Sequence, residues 1–457
     1  MKLALIGTGV RSPLFAAAAL RRAHRIGLEE LALMDADGDR LALFTTLVRQ
    51  QALEAGSPVR ITSSTCAEAV LDGAGHTVIT IRVGAEDGRV LDERIALRHG
   101  VLGQETTGPG GFAMALRNVP AVLHYAELLD RRSSGAWLYC FTNPAGLVAQ
   151  ALHDHGFQRA VGICDGANEA QRAVADFLAI DACALRAEVF GLNHLSWTAR
   201  VTRNGQDLLR GLLGDPAFRT ATSLALFDPE LISLIGMWPN AYLHYFYNAE
   251  RTLAAILDSG VTRGEEVRDL TARLLEDLQA ADPERNPAAA LARFRAYHRR
   301  RGATYMAHAR SGAPSFDEAD RMAAEDESWG PEDEEGYSAV MLDVVEALET
   351  GDPLYSALNV PNAGAIEGMA ADDVVEVSCR VDRDGIRTIP VGPVPPGALT
   401  LMQSVKQYER LTVRAIATRS KDLAIQALMC HPLVVSYPRA RALVDDYLAA
   451  HRAYLHW

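Results

Sequence analysis

The sequence predicts an α/β protein, with a doubly wound parallel sheet over residues 1–165 and a larger α+β lobe over residues 166–457. Three observations predict it. Short apolar runs alternate with helical patterns through the first part of the chain, as in parallel strands joined by helices. A glycine turn joins the first run to the first helix. After Cys164 the rhythm changes to strand-like stretches followed by long helical segments.

The elements follow in order. Leu3–Ile6 is a short buried-strand run, Gly7-Thr8-Gly9 turns the chain, and Ser12–Arg22 has a helical pattern. A second strand, Leu31–Met34, ends at Asp35. Runs at His76–Val83, Ala136–Phe141 and Ala160–Ile163 read as further strands of the same sheet. Gly108-Pro109-Gly110-Gly111 opens another helical pattern. A glycine-rich helix start exposes amide groups and the positive end of the helix dipole, which suits an anion, although a tight turn alone uses the same residues. In the second lobe Ala187–Phe190 and Thr198–Val201 are strand-like, while Glu265–Leu278 and Pro287–Arg300 are helical. Ser315–Gly336, rich in acid, Pro and Gly, reads as an exposed loop with a short helix. Val374–Val381 and Thr388–Val391 form a strand pair about a turn at Asp382–Gly385, and helices fill Thr400–Ile416, Lys421–Met429 and Ala440–Tyr454.

A chain of 457 residues, 49% hydrophobic and 23% charged, has the composition of a globular protein with a large core. Its net charge of −13 argues against nucleic acid as the main partner but leaves room for a small anion beside a local arginine cluster. The six cysteines are scattered without a CxxC pair, which reads as reduced thiols in a cytoplasmic protein. The chain begins at once with a strand, so no signal peptide is expected. No apolar run approaches the roughly 20 residues needed to span a bilayer.

Gly7-x-Gly9-x-x-Ser12 lies between a strand and a helix at the start of a βαβ unit. Its glycines permit a tight turn and close approach of backbone to a pyrophosphate, and the helix start faces that charge. Ser12 replaces the usual third glycine. Asp35, at the end of the second strand, is placed to accept hydrogen bonds from a ribose diol, which favours NAD over NADP. A Rossmann-like NAD site is therefore expected on Gly7, Gly9, Ser12 and Asp35.

Two other apolar runs end in polar groups, Val161-Gly162-Ile163-Cys164-Asp165 and Phe190-Gly191-Leu192-Asn193-His194. A thiolate and an imidazole at two such ends can share a divalent cation and leave positions for substrate oxygens. A buried cysteine and a satisfied histidine account for the same spacing, and spacing alone favours that reading. Asp165 is a candidate general acid. Asn143, in Phe141-Thr142-Asn143-Pro144, can bond a sugar hydroxyl or cap the following helix.

Taken together, GTG near the start, RVLDERIALRHGVLGQETTGPGG, FTNPAG, GICD, FGLNH, PNAYLHYF, VTRGEEV and ALNVPNAGAIEGM resemble glycoside hydrolase family 4, the NAD- and metal-dependent glycosidases, over nearly the full chain. The form of the RVLDE and GQETTGPGG segments is similar to the 6-phospho-glycosidase branch, in either its β- or its α-glucosidase form. The resemblance implies that Cys164 and His194 hold a divalent metal, Mn²⁺ being expected, that Tyr242 is the catalytic base and that Asp165 is the acid. Arg89 matches an arginine that grips the substrate 6-phosphate, and Arg263 a second arginine near that end. Asn143 matches a sugar-binding asparagine, and Asn193 joins it as a candidate substrate contact. One departure stands out: Gly166-Ala167-Asn168-Glu169 follows the metal cysteine where the family commonly has Val/Met-Pro-Ile/Val-Gly.

The implied reaction is hydrolysis by NAD-dependent oxidation at carbon 3, metal-assisted deprotonation at carbon 2, elimination of the aglycone and addition of water. The expected partner is a small glycoside carrying a 6-phosphate, and a homodimer or homotetramer is expected. The competing readings are an NAD-dependent dehydrogenase of a sugar phosphate or hydroxy acid, a glycosidase of unphosphorylated glycosides, and a sensor that binds without turnover.

Overall fold

The computed structural model describes residues 1–309, 318 and 331–455, the side chains of 331–337 excepted. The strands are β1 (Lys2–Ile6), β2 (Glu30–Met34), β3 (Arg60–Ser64), β4 (His76–Ile79), β5 (Trp137–Cys140), β6 (Ala160–Gly162), β7 (Arg186–Leu192), β8 (Leu195–Arg203), β9 (Gln206–Asp207), β10 (Trp238–Pro239), β11 (Leu354–Pro361), β12 (Val374–Asp382) and β13 (Gly385–Thr388). A nine-stranded sheet has the order β13-β12-β11-β6-β5-β4-β1-β2-β3. Strands β1 to β6 are parallel, in the 3-2-1-4-5-6 order of a dinucleotide-binding fold. The predicted α/β class with a Rossmann-like first part is what the chain adopts.

The sequence explains the parallel core. In β1, Leu3, Ala4, Leu5 and Ile6 are all buried, as a strand covered by helices on both faces requires. β1 pairs with β2 on one side (Leu3↔Leu31) and β4 on the other (Leu3↔His76). The second lobe is joined to this sheet. β11 meets β6 antiparallel at Asn359↔Gly162, and β12 and β13 continue outward. A second sheet, β10-β8-β7 with β9 on β8, is not paired with it but packs β7 against β12, where the Val189 amide donates to the Ser378 hydroxyl (2.8 Å). A helical hairpin, Arg263–Ala280 and Pro287–Ala303, packs Leu270, Leu274, Leu278, Leu291 and Phe294 against Phe44 and Leu47 of the helix Gly38–Glu54. A capping box, Thr262 with Glu265, opens its first helix.

Several local expectations shift. The run His76–Val83 is extended only to Ile79, where the chain leaves the sheet for the site. The last hairpin turns on Arg383–Asp384 between the paired Asp382 and Gly385, so its second strand is Gly385–Thr388 and not Thr388–Val391. Asp382 sets this turn by accepting from the Asp384 amide (3.1 Å) and pairing with Arg387. Strands β3, β9, β10 and β11 are additional to those expected. Of the expected loop Ser315–Gly336, residues 315–317 and 319–330 lie outside the described residues, and from Pro331 the chain is a helix to Thr350. No helix among the described residues is long and apolar enough to cross a membrane.

The start of the helix Pro109–Arg132 is buried and packed. A Cβ on Gly110 would run into the carbonyl oxygen of Gln104, and one on Gly111 into that of Thr106. The amides of Thr106 and Thr107 are satisfied by the Gln104 side chain (both 2.6 Å). These glycines allow close approach of the preceding loop. Helix propensity alone would favour Gly110→Ala by about 1 kcal/mol. The packing predicts the reverse, a loss of about 1–3 kcal/mol in denaturant unfolding. Gly75→Ala, where a Cβ meets nothing within 4 Å, should change stability by less than about 0.5 kcal/mol.

Candidate active site

The strand order reverses between β1 and β4, and the connections leaving their carboxyl ends open a crevice there. Gly7 leaves β1 at φ +95°, and a Cβ on it would stand 2.6 Å from the Thr80 carbonyl oxygen beyond β4, so the two connections touch only because residue 7 is glycine. The Gly7 and Thr8 amides and the Thr8 hydroxyl all donate to the Met34 carbonyl (2.9, 3.0 and 3.0 Å), tying the turn to the end of β2 just before Asp35. Ser12 accepts from the Gly9 amide (2.9 Å) and is buried, so the residue in place of a third glycine locks the turn internally. Asp35 accepts from the Asp37 amide (2.9 Å), and partial burial raises its carboxyl above the usual range.

A cavity of about 1220 Å³ opens on this edge. Ser12, Arg89, Asn143, Cys164, Asp165, His194, Tyr242 and Arg263 all line it. Gly7, Gly9 and Asp35 form the glycine turn and strand end beside it. Asn193 stands directly behind this wall: its side chain bonds the Cys164 thiol, and its amide donates to the buried Glu376 (3.3 Å), which also accepts from Ser196 (2.6 Å) and Asn359 (3.1 Å).

His194 sits in the two-residue turn of the β7–β8 hairpin, between the paired Leu192 and Leu195. Its φ of +63° is left-handed, a conformation that costs a non-glycine residue about 1 kcal/mol and is typical of functional sites. Nδ1 lies 3.0 Å from the Thr106 hydroxyl, whose own proton goes to Gln104 (3.0 Å). The imidazole therefore donates from Nδ1 and keeps the Nε2 lone pair for a ligand. Burial lowers His194 to about 4, so the ring is neutral.

Cys164 follows β6 on the cavity wall. Burial, then the nearby Glu376 and Asp165, push its thiol well above the ordinary value. A sulfur so placed ionises only beside a cation. Among the described residues no group of three or more His, Cys, Asp or Glu gathers as a ready-made metal cage. A thiol and a neutral imidazole on one wall fit a two-donor site completed by non-protein oxygens. The unusual loop Gly166–Asn168 is a tight turn held by Asn168, which accepts from the Ala357 amide of β11 (2.8 Å), and beyond it Glu169 and Arg172 also line the cavity.

Tyr242 stacks on His194, with ring centroids 3.7 Å apart and planes 5° from parallel. Asn240 accepts from the Tyr242 amide (3.0 Å) and sets this turn. Burial, then Tyr305 and Glu105, push the Tyr242 phenol well above 10, and Tyr305 hydrogen-bonds to it. Glu105 was not singled out in the sequence. It pairs with Arg82 (2.8 Å) and Arg89 (3.1 Å), and despite burial these guanidiniums hold its carboxyl well below the usual range. Arg89 also pairs with Glu93 (2.8 Å). Arg263 bonds Glu266 (2.7 Å), Thr304 (2.6 Å) and the Arg301 carbonyl (2.7 Å). Burial and the like charges of Arg11 and Arg263 lower Arg301 against the opposing pull of Tyr297 and Glu86, so guanidiniums and carboxylates share this corner. Glu105 and Tyr305 carry no local signal of their role, because each acts only through side chains distant in sequence.

Comparison with known proteins shows the family of the chain. Residues 2–180 match the family described as "Family 4 glycosyl hydrolase", and residues 189–434 match "Family 4 glycosyl hydrolase C-terminal domain". The chain is 28% identical to a probable 6-phospho-beta-glucosidase of Bacillus subtilis, over 100% of this chain and 97% of that one. It is 26% identical to 6-phospho-alpha-glucosidase 1 of Lacticaseibacillus paracasei, over 94% and 92%. The structure of the 6-phospho-beta glucosidase from Thermotoga maritima with manganese, NAD+ and glucose-6-phosphate superposes with a TM-score of 0.80 at 25% identity, covering 100% of this chain and 99% of that one. The two family matches run from β1 past the helix Lys421–Cys430, leaving little of the chain outside them, and this chain belongs to the family 4 glycosyl hydrolases.

Proposed function

We propose that this glycosidase hydrolyses glucosides carrying a 6-phosphate, with NAD and a divalent metal, Mn²⁺ being expected, as resident cofactors. The observation that carries this is the single cavity on which the thiol of Cys164, the imidazole of His194, the phenol of Tyr242 and the arginines Arg89 and Arg263 all open, beside the glycine turn of a dinucleotide fold. Gly7, Gly9, Ser12 and Asp35 would hold NAD, and Cys164 and His194 the metal. When bound, NAD⁺ would accept hydride from carbon 3 of the sugar and the cation would polarise the carbonyl so formed.

The chain's own residues do the rest. Tyr242 takes the proton from carbon 2, which the adjacent carbonyl has made acidic. Its stacking on His194 keeps the phenol beside the metal ligands. Asp165, next to Cys164, protonates the departing oxygen at carbon 1. Asn143 bonds sugar hydroxyls. The phosphate lies where the helix Ala85–Arg98 meets the start of Arg263–Ala280. Arg89 and Arg263 both line the cavity there. The guanidiniums of Arg89 and Arg263 would bind it by charge-assisted hydrogen bonds. In this reading residues 1–165 bind NAD, and 166–457 complete the metal and substrate site and mediate homo-oligomerisation in the cytoplasm.

The decisive experiment uses nitrophenyl α- and β-glucosides, with and without a 6-phosphate, in NAD⁺, Mn²⁺ and a reducing agent. Release of nitrophenol from phosphorylated substrates without net NADH is expected, whereas accumulating NADH would mark a plain dehydrogenase. Cys164→Ser or His194→Ala should abolish turnover and lower Mn²⁺ affinity measured by electron paramagnetic resonance. Tight Mn²⁺ binding in both variants would refute the metal assignment. Tyr242→Phe should leave NAD⁺ affinity intact but slow exchange of the carbon 2 proton with solvent deuterium, and unchanged exchange would rule Tyr242 out as the base.

A further inference from the structure

The helix Ala85–Arg98 brings Arg89 and Glu93 to the cavity, and one turn past Arg89 it buries a full negative charge. Asp92 is 0% exposed. Its two carboxylate oxygens accept from the two terminal nitrogens of Arg117 (both 2.7 Å). One of them also accepts from Nε2 of His451 (2.7 Å), which must be the donor because a carboxylate only accepts. The Asp92 carbonyl takes the Tyr447 hydroxyl (3.1 Å). Tyr447 and His451 are likewise 0% exposed.

These contacts cross nearly the whole sequence. Tyr447 belongs to the helix Tyr437–Ala450, and His451 follows it. The same helix holds the far end of Ala85–Arg98 through Asp446, which pairs with His99 (2.8 Å) and Arg98 (3.6 Å). Arg117 also donates to the Val83 carbonyl (3.0 Å) and packs against Gly88, where a Cβ would come within 3.3 Å of the guanidinium. The helix is thus held before its start, at its middle and at its end. Glu93 passes this position on, accepting from the Gly264 amide (2.7 Å) next to Arg263.

A fully buried cluster of this kind is weak support for stability, since apolar residues of the same volume serve as well. What it supplies is geometry. We propose that Tyr437–His451 is a positioning strap for phosphate recognition: His451 and Tyr447, through Asp92, set where Arg89 and the start of the Arg263 helix stand. This rests on reading Arg89 as a phosphate contact.

The test compares the natural chain with His451→Phe, His451→Gln and Tyr447→Phe, each as full-length enzyme with NAD⁺ and Mn²⁺. Affinities for glucose 6-phosphate and glucose are measured by calorimetry, and KM and kcat with a nitrophenyl 6-phosphoglucoside. His451→Phe should weaken glucose 6-phosphate about tenfold and raise KM similarly, with glucose affinity and kcat little changed. His451→Gln, whose amide can still donate to Asp92, should recover most of the loss. Unchanged glucose 6-phosphate affinity in His451→Phe overturns the proposal, and so does equal weakening of glucose and its 6-phosphate. If His451→Phe does not fold, Tyr447→Phe, which removes one hydroxyl and keeps the ring, is judged by the same two criteria. Arg89→Ala separates the two levels. If it keeps the preference for the phosphorylated sugar, the phosphate reading at Arg89 falls and the strap with it. If it loses that preference while both strap variants keep it, the strap alone falls.

Discussion

In a run of parallel strands every carboxyl end faces one edge, and where the order reverses the two neighbouring connections part and leave a crevice. That reversal lies between β1 and β4, and the cavity depends on it. The glycine turn after β1, Asn143 after β5 and Cys164 after β6 all arrive at the cavity because their strands run the same way. The second sheet closes the crevice from the other side. Its hairpin turn carries His194, and the segment after β10 carries Tyr242. The constraint is tight at Gly7, where backbone and not a side chain meets the Thr80 carbonyl.

The cavity gathers groups that are ill at ease alone. A buried thiol stands beside two carboxylates, a histidine is held in a left-handed turn, and Arg301 is crowded by other guanidiniums. In the proposed reading each would be relieved by a ligand of the opposite character, a cation at the thiol and an anion at the guanidiniums. Strain and unfavourable charge of this kind persist only where the surrounding structure holds them in place. The hydrogen-bond chain from His194 through Thr106 to Gln104 is such a support, and so is the Glu376 cluster behind Asn193.

Much of this was legible in the residues. The parallel strands could be read from their apolar runs, and the tight turn from Gly7 and Gly9, because those signals act within one βαβ unit. Cys164 and His194 were different. Their spacing pointed to ordinary burial, and only the resemblance to a family suggested them as a metal pair. Gly108–Gly111 left two readings open. A glycine that admits an anion and a glycine that admits the Gln104 carbonyl look alike in a sequence, since both answer a need for close approach. β3, Arg60–Ser64, escaped notice because an edge strand need not be apolar.

The linear chain sufficed for the fold class, the glycine turn and the identity of the chemical groups, since periodicity and turn preference act over a few neighbouring residues. Folding alone put Tyr242 on His194, Glu105 between Arg82 and Arg89, and His451 against Asp92. No local preference encodes such meetings. They follow from how two sheets and a C-terminal helix pack, and packing is a property of surfaces that exist only once the chain has closed on itself.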